Sequence, residues 1–193
     1  FAYSRSDSRK GDLMQTTDYA EAMHRAAKVR LMIFDVDGIL TDGSLHFGPD
    51  GEIIKTFNVL DGHGIKMLQE SGVTTAIISA RQSQIVARRA TDLGIAHVMQ
   101  GSHDKRVAFD ALLARCTLSA DVCGFIGDDV IDLPILSRVA FAASVPNGHK
   151  EVRSRVHYVT QASGGRGAVR EICDFILCAQ DKYASALSRY LPS

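Results

Sequence analysis

Two aspartates stand two positions apart in the run Asp35-Val36-Asp37-Gly38-Ile39-Leu40-Thr41-Asp42. A second acidic group lies far downstream, in Gly127-Asp128-Asp129-Val130-Ile131-Asp132. Carboxylates brought close together raise one another's pKa, so such a set is stable only with a cation among them. Donors that are all oxygen, with no histidine, suit Mg²⁺. A carboxylate pair also offers a nucleophile beside a general acid or base. Between the two acidic groups stand residues suited to an anion. Ser79, in Ile77-Ile78-Ser79-Ala80-Arg81, offers a hydroxyl and the N–H groups that follow it. Lys105, after Gly101-Ser102-His103-Asp104, offers a cation.

Taken singly, each piece has an ordinary explanation. Asp-x-Asp-Gly makes a turn, Gly-Asp-Asp caps a helix, Ser79 caps another, and Lys105 is a solvated side chain. All four in order, each at the end of an apolar run, favour a shared site that handles phosphate.

The elements that must carry these residues follow from periodicity. Apolar runs at 29–36, 73–79, 96–99, 122–127, 139–145 and 157–160 read as strands. Between them, 82–93 and 105–115 are helical by spacing, a helix starts at 64–70, and 167–190 reads as one long closing helix. Strands alternating with helices predict an α/β fold with a doubly wound parallel sheet. Such sheets bind ligands at the carboxyl ends of their strands, where the acidic groups, Ser79 and Lys105 fall. Residues 44–59 break the alternation. Two β-rich arms flank Pro49-Asp50-Gly51, which predicts a projecting hairpin.

Lys plus Arg and Asp plus Glu both number 22, so the net charge is zero and no nucleic-acid partner is expected. No run of 18 apolar residues exists, so no membrane span is expected, and a cytoplasmic location fits. Cys116, Cys123, Cys173 and Cys178 form no CxxC and read as buried free thiols. Residues 1–20, polar at first, read as a flexible N-terminal arm, and 21–193 as one domain.

The set Asp35-x-Asp37-Gly38, Ser79, Lys105 and Gly127-Asp128-Asp129 resembles the four motifs of the haloacid dehalogenase superfamily. That resemblance implies a Rossmann-like core, with Asp35 as nucleophile and Asp37 as general acid and then base. It also implies Mg²⁺ on the carboxylates of Asp35 and Asp128 and the carbonyl of Asp37. Ser79 and Lys105 would hold the phosphoryl group, with Asp129 and Asp132 in an acidic layer behind the ligands. Members often carry a cap domain, but only 41 residues separate Asp37 from Ser79 and 22 separate Lys105 from Asp128. Neither gap has room for one.

Together, DVDGILTDG, FNVLDGHGIK, GDDVIDLP and SGGRGAVREICD resemble the capless 3-deoxy-D-manno-octulosonate 8-phosphate phosphatases. Substrate contacts implied by that family are Asp37, Asn58, Asp61, Gly62, Lys66, Arg81, Arg89 and Lys105. A homotetramer built through the hairpins is implied too, with a neighbouring subunit closing the site over a small phosphorylated sugar acid. Leu60 and Lys66 stand where some members carry Arg, which leaves a related substrate such as a nonulosonate 9-phosphate as the alternative. A receiver-type signalling domain is the more distant reading, because receivers place their acidic pair and acceptor on different strands.

Overall fold

The computed structural model describes residues 16–191. Most of the expected arm therefore lies outside the described residues, but its last part is helical. Helix α1 spans Thr16–Ala26 and packs on the closing helix α7 (Ala168–Ala179) through Tyr19, which meets Phe175 edge to face at 5.6 Å.

Six parallel strands form the main sheet: β1 (Leu31–Phe34), β4 (Thr74–Ile78), β5 (His97–Met99), β6 (Cys123–Ile126), β7 (Phe141–Ser144) and β8 (Tyr158–Val159). Their spatial order is β5-β4-β1-β6-β7-β8. The chain lays down one half outward from β1, then returns to its other side for the second half. β1 is therefore the switch point, where a doubly wound sheet opens a crevice at its carboxyl edge. The register pairs Phe34 with Ile77 on one side and Ile126 on the other.

β1 is buried on both faces, which explains its unbroken apolar run. Met32 and Phe34 point to the core under α1, α2 (Val59–Glu70), α3 (Gln84–Leu93) and α7 (Ala168–Ala179). Leu31 and Ile33 point to the opposite core, shared with α4 (Lys105–Cys116) and α5 (Leu133–Leu136). Burying each such side chain contributes about 1.5–3 kcal/mol, so this strand is firmly placed. A short helix α6 (Lys150–Arg153) covers the second half-sheet on the α5 side through Val152.

The predicted hairpin is present as β2 (His46–Gly48) and β3 (Gly51–Ile54), a separate antiparallel pair. The closing helix is broken, contrary to expectation. α7 ends at Ala179, Asp181 takes a left-handed φ of 55°, and α8 runs Tyr183–Ser188. Lys182 N–H returns to the Leu177 carbonyl at 2.8 Å, closing a turn that spacing alone did not reveal. The cysteines are all free, yet only Cys123 and Cys173 are buried, and Cys178 is exposed.

Candidate active site

The end of β1 sets the centre. Asp35 N–H donates to the Ile126 carbonyl at 3.1 Å, extending the β1–β6 ladder one residue and holding Asp35 beside the segment that carries Asp128. The chain then turns around Thr41. Its buried hydroxyl accepts from Gly38 N–H at 3.4 Å and Gly43 N–H at 3.2 Å, and donates to the Val36 carbonyl at 3.4 Å. Gly38 adopts φ of 90°, and a Cβ there would stand 2.1 Å from Asp128 Oδ2. Glycine at 38 thus makes the turn and also admits the Asp128 carboxylate. The Gly164-Gly165 pair closes on this loop from behind, with Gly165 N–H donating to the Ile39 carbonyl at 2.8 Å.

Asp35, Asp128 and Asp132 place carboxylate oxygens within 4.8 Å of one another. Lys105 Nζ lies 2.9 Å from Asp35 Oδ1 and 2.5 Å from Asp132 Oδ1. One ammonium faces three carboxylates, and the acids show the strain. Burial and the Asp132 charge push Asp35 up to about 7 despite Lys105. Burial, then the charges of Asp132 and Asp129, push Asp128 to about 7 as well. Burial would lower Lys105, but Asp35 and Asp132 outweigh it and hold the ammonium above its ordinary value.

Asp132 has its oxygens occupied. Oδ1 accepts from Lys105, and Oδ2 accepts from the N–H groups of Asp128 and Asp129 at 3.0 and 3.2 Å. It orients the acidic turn and the lysine. Asp35 and Asp128 are the carboxylates left for a cation, and their raised pKa values mark a deficit of positive charge. All-oxygen donors with that deficit fit Mg²⁺. Asp129 is exposed and turns its carboxylate to Val130 N–H at 2.7 Å.

Ser79 is buried at the end of β4. Its N–H donates to Met99 and its carbonyl accepts from Ser102, while its hydroxyl oxygen accepts from Arg81 N–H at 3.3 Å. Asp35, Asp37, Ser79, Arg81, Lys105, Asp128 and Asp129 line one cavity of about 150 Å³. Residues from three neighbouring strand ends and a helix start thus converge as their spacing predicted.

Asp37 has a partner that the sequence did not disclose. Lys55, just beyond β3, forms an ion pair with Asp37 Oδ1 and lies 2.8 Å from Glu52 Oε1. The far oxygen of Glu52 accepts from the Ser83 hydroxyl. Arg81 Nε stands 3.7 Å from Asp37 Oδ2. A lysine in a β-rich arm gives no signal of such a contact, because the pairing arises only when the hairpin folds back.

The expected sugar contacts do not all face this cavity. Asn58 caps α2, its side-chain oxygen accepting from Leu60 N–H at 2.8 Å and Asp61 N–H at 3.4 Å. Asp61 is buried and grips the start of α7, accepting from Arg170 N–H at 2.7 Å and Gly167 N–H at 3.4 Å. Gly62 leaves room for Arg89, whose Nη2 would lie 2.4 Å from a Cβ there. Arg89 sits over the Phe57 ring at 5.7 Å and lines a separate cavity of about 440 Å³. Its buried Nε has no hydrogen-bond partner among the described residues. Lys66 is exposed on α2, outside both cavities.

Comparison with known proteins agrees with this geometry. The family model described as haloacid dehalogenase-like hydrolase matches residues 75–172. The 3-deoxy-D-manno-octulosonate 8-phosphate phosphatase of Yersinia pestis is 45% identical over 166 residues, covering 86% of this chain and 89% of that protein. The chain belongs to that phosphatase family. A probable YrbI family phosphatase from Pseudomonas syringae superposes with a TM-score of 0.88 at 50% identity, covering 90% of this chain and 99% of that one. The Moraxella catarrhalis 3-deoxy-D-manno-octulosonate 8-phosphate phosphatase, solved with magnesium ion, phosphate ion and KDO, reaches 0.86 at 40% identity, covering 89% and 98%. Strand order separates the family from receivers. Numbered along the chain, the sheet here runs 3-2-1-4-5-6, whereas receivers run 2-1-3-4-5.

Proposed function

We propose that this protein is a Mg²⁺-dependent phosphatase that hydrolyses 3-deoxy-D-manno-octulosonate 8-phosphate to the free sugar acid and phosphate. The observation that carries this reading is the Asp35 carboxylate, at the floor of the cavity beside Lys105 and Asp128, in a member of that family.

Asp35 attacks phosphorus, and the bond from phosphorus to the sugar oxygen breaks as the Asp35–phosphorus bond forms. Asp37 gives its proton to the departing oxygen, sparing it an alkoxide charge. Asp37 then takes a proton from water, whose oxygen attacks phosphorus and releases phosphate from Asp35. Splitting one displacement into two lowers each barrier. Ser79 and Lys105 hold the transferred oxygens throughout. Asp35, Asp128 and the Asp37 carbonyl would hold Mg²⁺, which supplies the charge that offsets repulsion between carboxylate and phosphate.

The shallow cavity is closed by a neighbouring subunit of a homotetramer formed through the hairpin. Its support is the hairpin's exposed apolar surface: Leu45, Phe47, Ile53 and Ile54 are 42–58% exposed. A lone two-stranded hairpin is marginal in water and gains from a partner. Arg81, which lines the same cavity as Asp35, is the cation for the sugar acid, while Arg89 lines the separate cavity.

Phosphate release is measured on 3-deoxy-D-manno-octulosonate 8-phosphate and on a nonulosonate 9-phosphate, with Mg²⁺ and with chelator. The first ester gives the higher kcat/KM, chelator abolishes turnover, and Asp35→Asn is inactive yet folded. Preference for the nonulosonate overturns the substrate, and an active Asp35→Asn protein overturns the mechanism.

A further inference from the structure

Lys55 is the one hairpin side chain that reaches the catalytic cavity's acids. Its side chain is 1% exposed, although its neighbours Ile53 and Ile54 at the end of β3 are exposed. An ammonium withdrawn from water must be paired. Here Asp37 Oδ1 and Glu52 Oε1 share it, and Ser83, at the start of α3, holds the other oxygen of Glu52. Ser83 is fixed in turn, its N–H donating to Gln100 Oε1 at 2.7 Å and its hydroxyl oxygen capping Val86 N–H. A chain of charge-assisted contacts thus runs from α3 through the hairpin to Asp37. It grips Oδ1 and leaves Oδ2 on the side of Arg81, and both Asp37 and Arg81 line the cavity.

We infer that Lys55 is a positioning residue for Asp37, which it locks in one orientation so that Oδ2 carries the proton to and from the phosphate ester. The hairpin is then part of the catalytic apparatus of its own subunit, in addition to any role in assembly. This inference rests on the reading of Asp37 as general acid and base. A carboxylate free to rotate presents the wrong oxygen, or none, during much of each encounter. Loss of the lock therefore lowers kcat and spares ground-state binding of the substrate.

The test is a double-mutant cycle on the full-length protein with Mg²⁺ and 3-deoxy-D-manno-octulosonate 8-phosphate. Lys55→Met keeps the apolar stem and removes the ammonium. It lowers kcat by about 10–100-fold with KM within about threefold, and Lys55→Arg recovers part of the loss. In an Asp37→Asn background the same Lys55→Met change alters the residual rate by less than about twofold, because nothing remains to position. Mg²⁺-dependent binding of beryllium fluoride, which needs Asp35 and not Asp37, is unchanged. An equal loss in both backgrounds shows that Lys55 acts elsewhere and overturns the inference, as does an unchanged kcat. If Asp37→Asn itself leaves kcat intact, the reading of Asp37 falls. Should Lys55→Met fail to fold, Glu52→Gln carries the same cycle, with an expected loss of about 3–10-fold. No loss there overturns the lock.

Discussion

Asp35 is asked to be a strong nucleophile in a place that disfavours its charge. Burial and the Asp132 carboxylate raise it to about 7, against the opposing pull of Lys105 and a backbone hydrogen bond from Val36. Burial and the Asp132 charge raise Asp128 likewise. Both folded values lie above the ordinary 3.8, so the metal-free folded state holds more protons than the unfolded chain between about pH 4 and 7. Metal-free stability is therefore fullest below that window and falls as pH rises through it. Thermal melts with chelator should show Tm dropping toward neutral pH, while the stabilisation gained from Mg²⁺ grows, since the cation replaces those protons. A Mg²⁺ effect independent of pH would contradict this account. Lys105 contributes on both counts. Lys105→Ala removes the charge nearest Asp35, and kcat/KM should fall about 100-fold or more, about 3 kcal/mol. Steady-state rates within about twofold of the parent would show that the lysine is misplaced.

At the scale of elements, strands and helices deliver side chains whose roles only packing decides. Asp61 illustrates this. Its place in FNVLDGHGIK suggests a sugar contact, yet both oxygens serve the first turn of α7, and burial raises its pKa against those hydrogen bonds. Asp61→Ala should strand the Gly167 and Arg170 N–H groups and cost about 1–3 kcal/mol. Calorimetry would read this as a lower Tm, and an unchanged melt would return Asp61 to the substrate. The sheet was legible because burial on both faces leaves continuous apolar runs, as in Leu31–Phe34. The core site was legible because strand ends must converge at a switch point. Lys55, Asp61 and the break at Asp181 were not legible. Each depends on a contact between segments distant in sequence, or on a turn geometry that leaves no periodic trace.

At the scale of the whole molecule, the hairpin is the feature that a solitary subunit leaves unsatisfied. Phe47 is 58% exposed, and its only aromatic-cation contact among the described residues is with Arg81, at 5.5 Å. Phe47→Asp should weaken self-association and lower kcat/KM together, by about 10-fold at assay concentrations. Sedimentation that finds a fully active wild-type monomer would break the link between assembly and site closure. The strand order has a further consequence, for synthesis on the ribosome. β1 is made first but occupies the middle of the sheet, and its second neighbour begins at Cys123, 89 residues after Phe34. At roughly 5–20 residues per second, the nascent chain waits about 4–18 seconds with one flank of β1 unpaired. During that interval Leu31–Phe34 is an apolar open edge, the kind that recruits foreign strands. The acids that will make the enzyme are split across the gap, so the chain becomes able to bind its metal only after that edge has been closed.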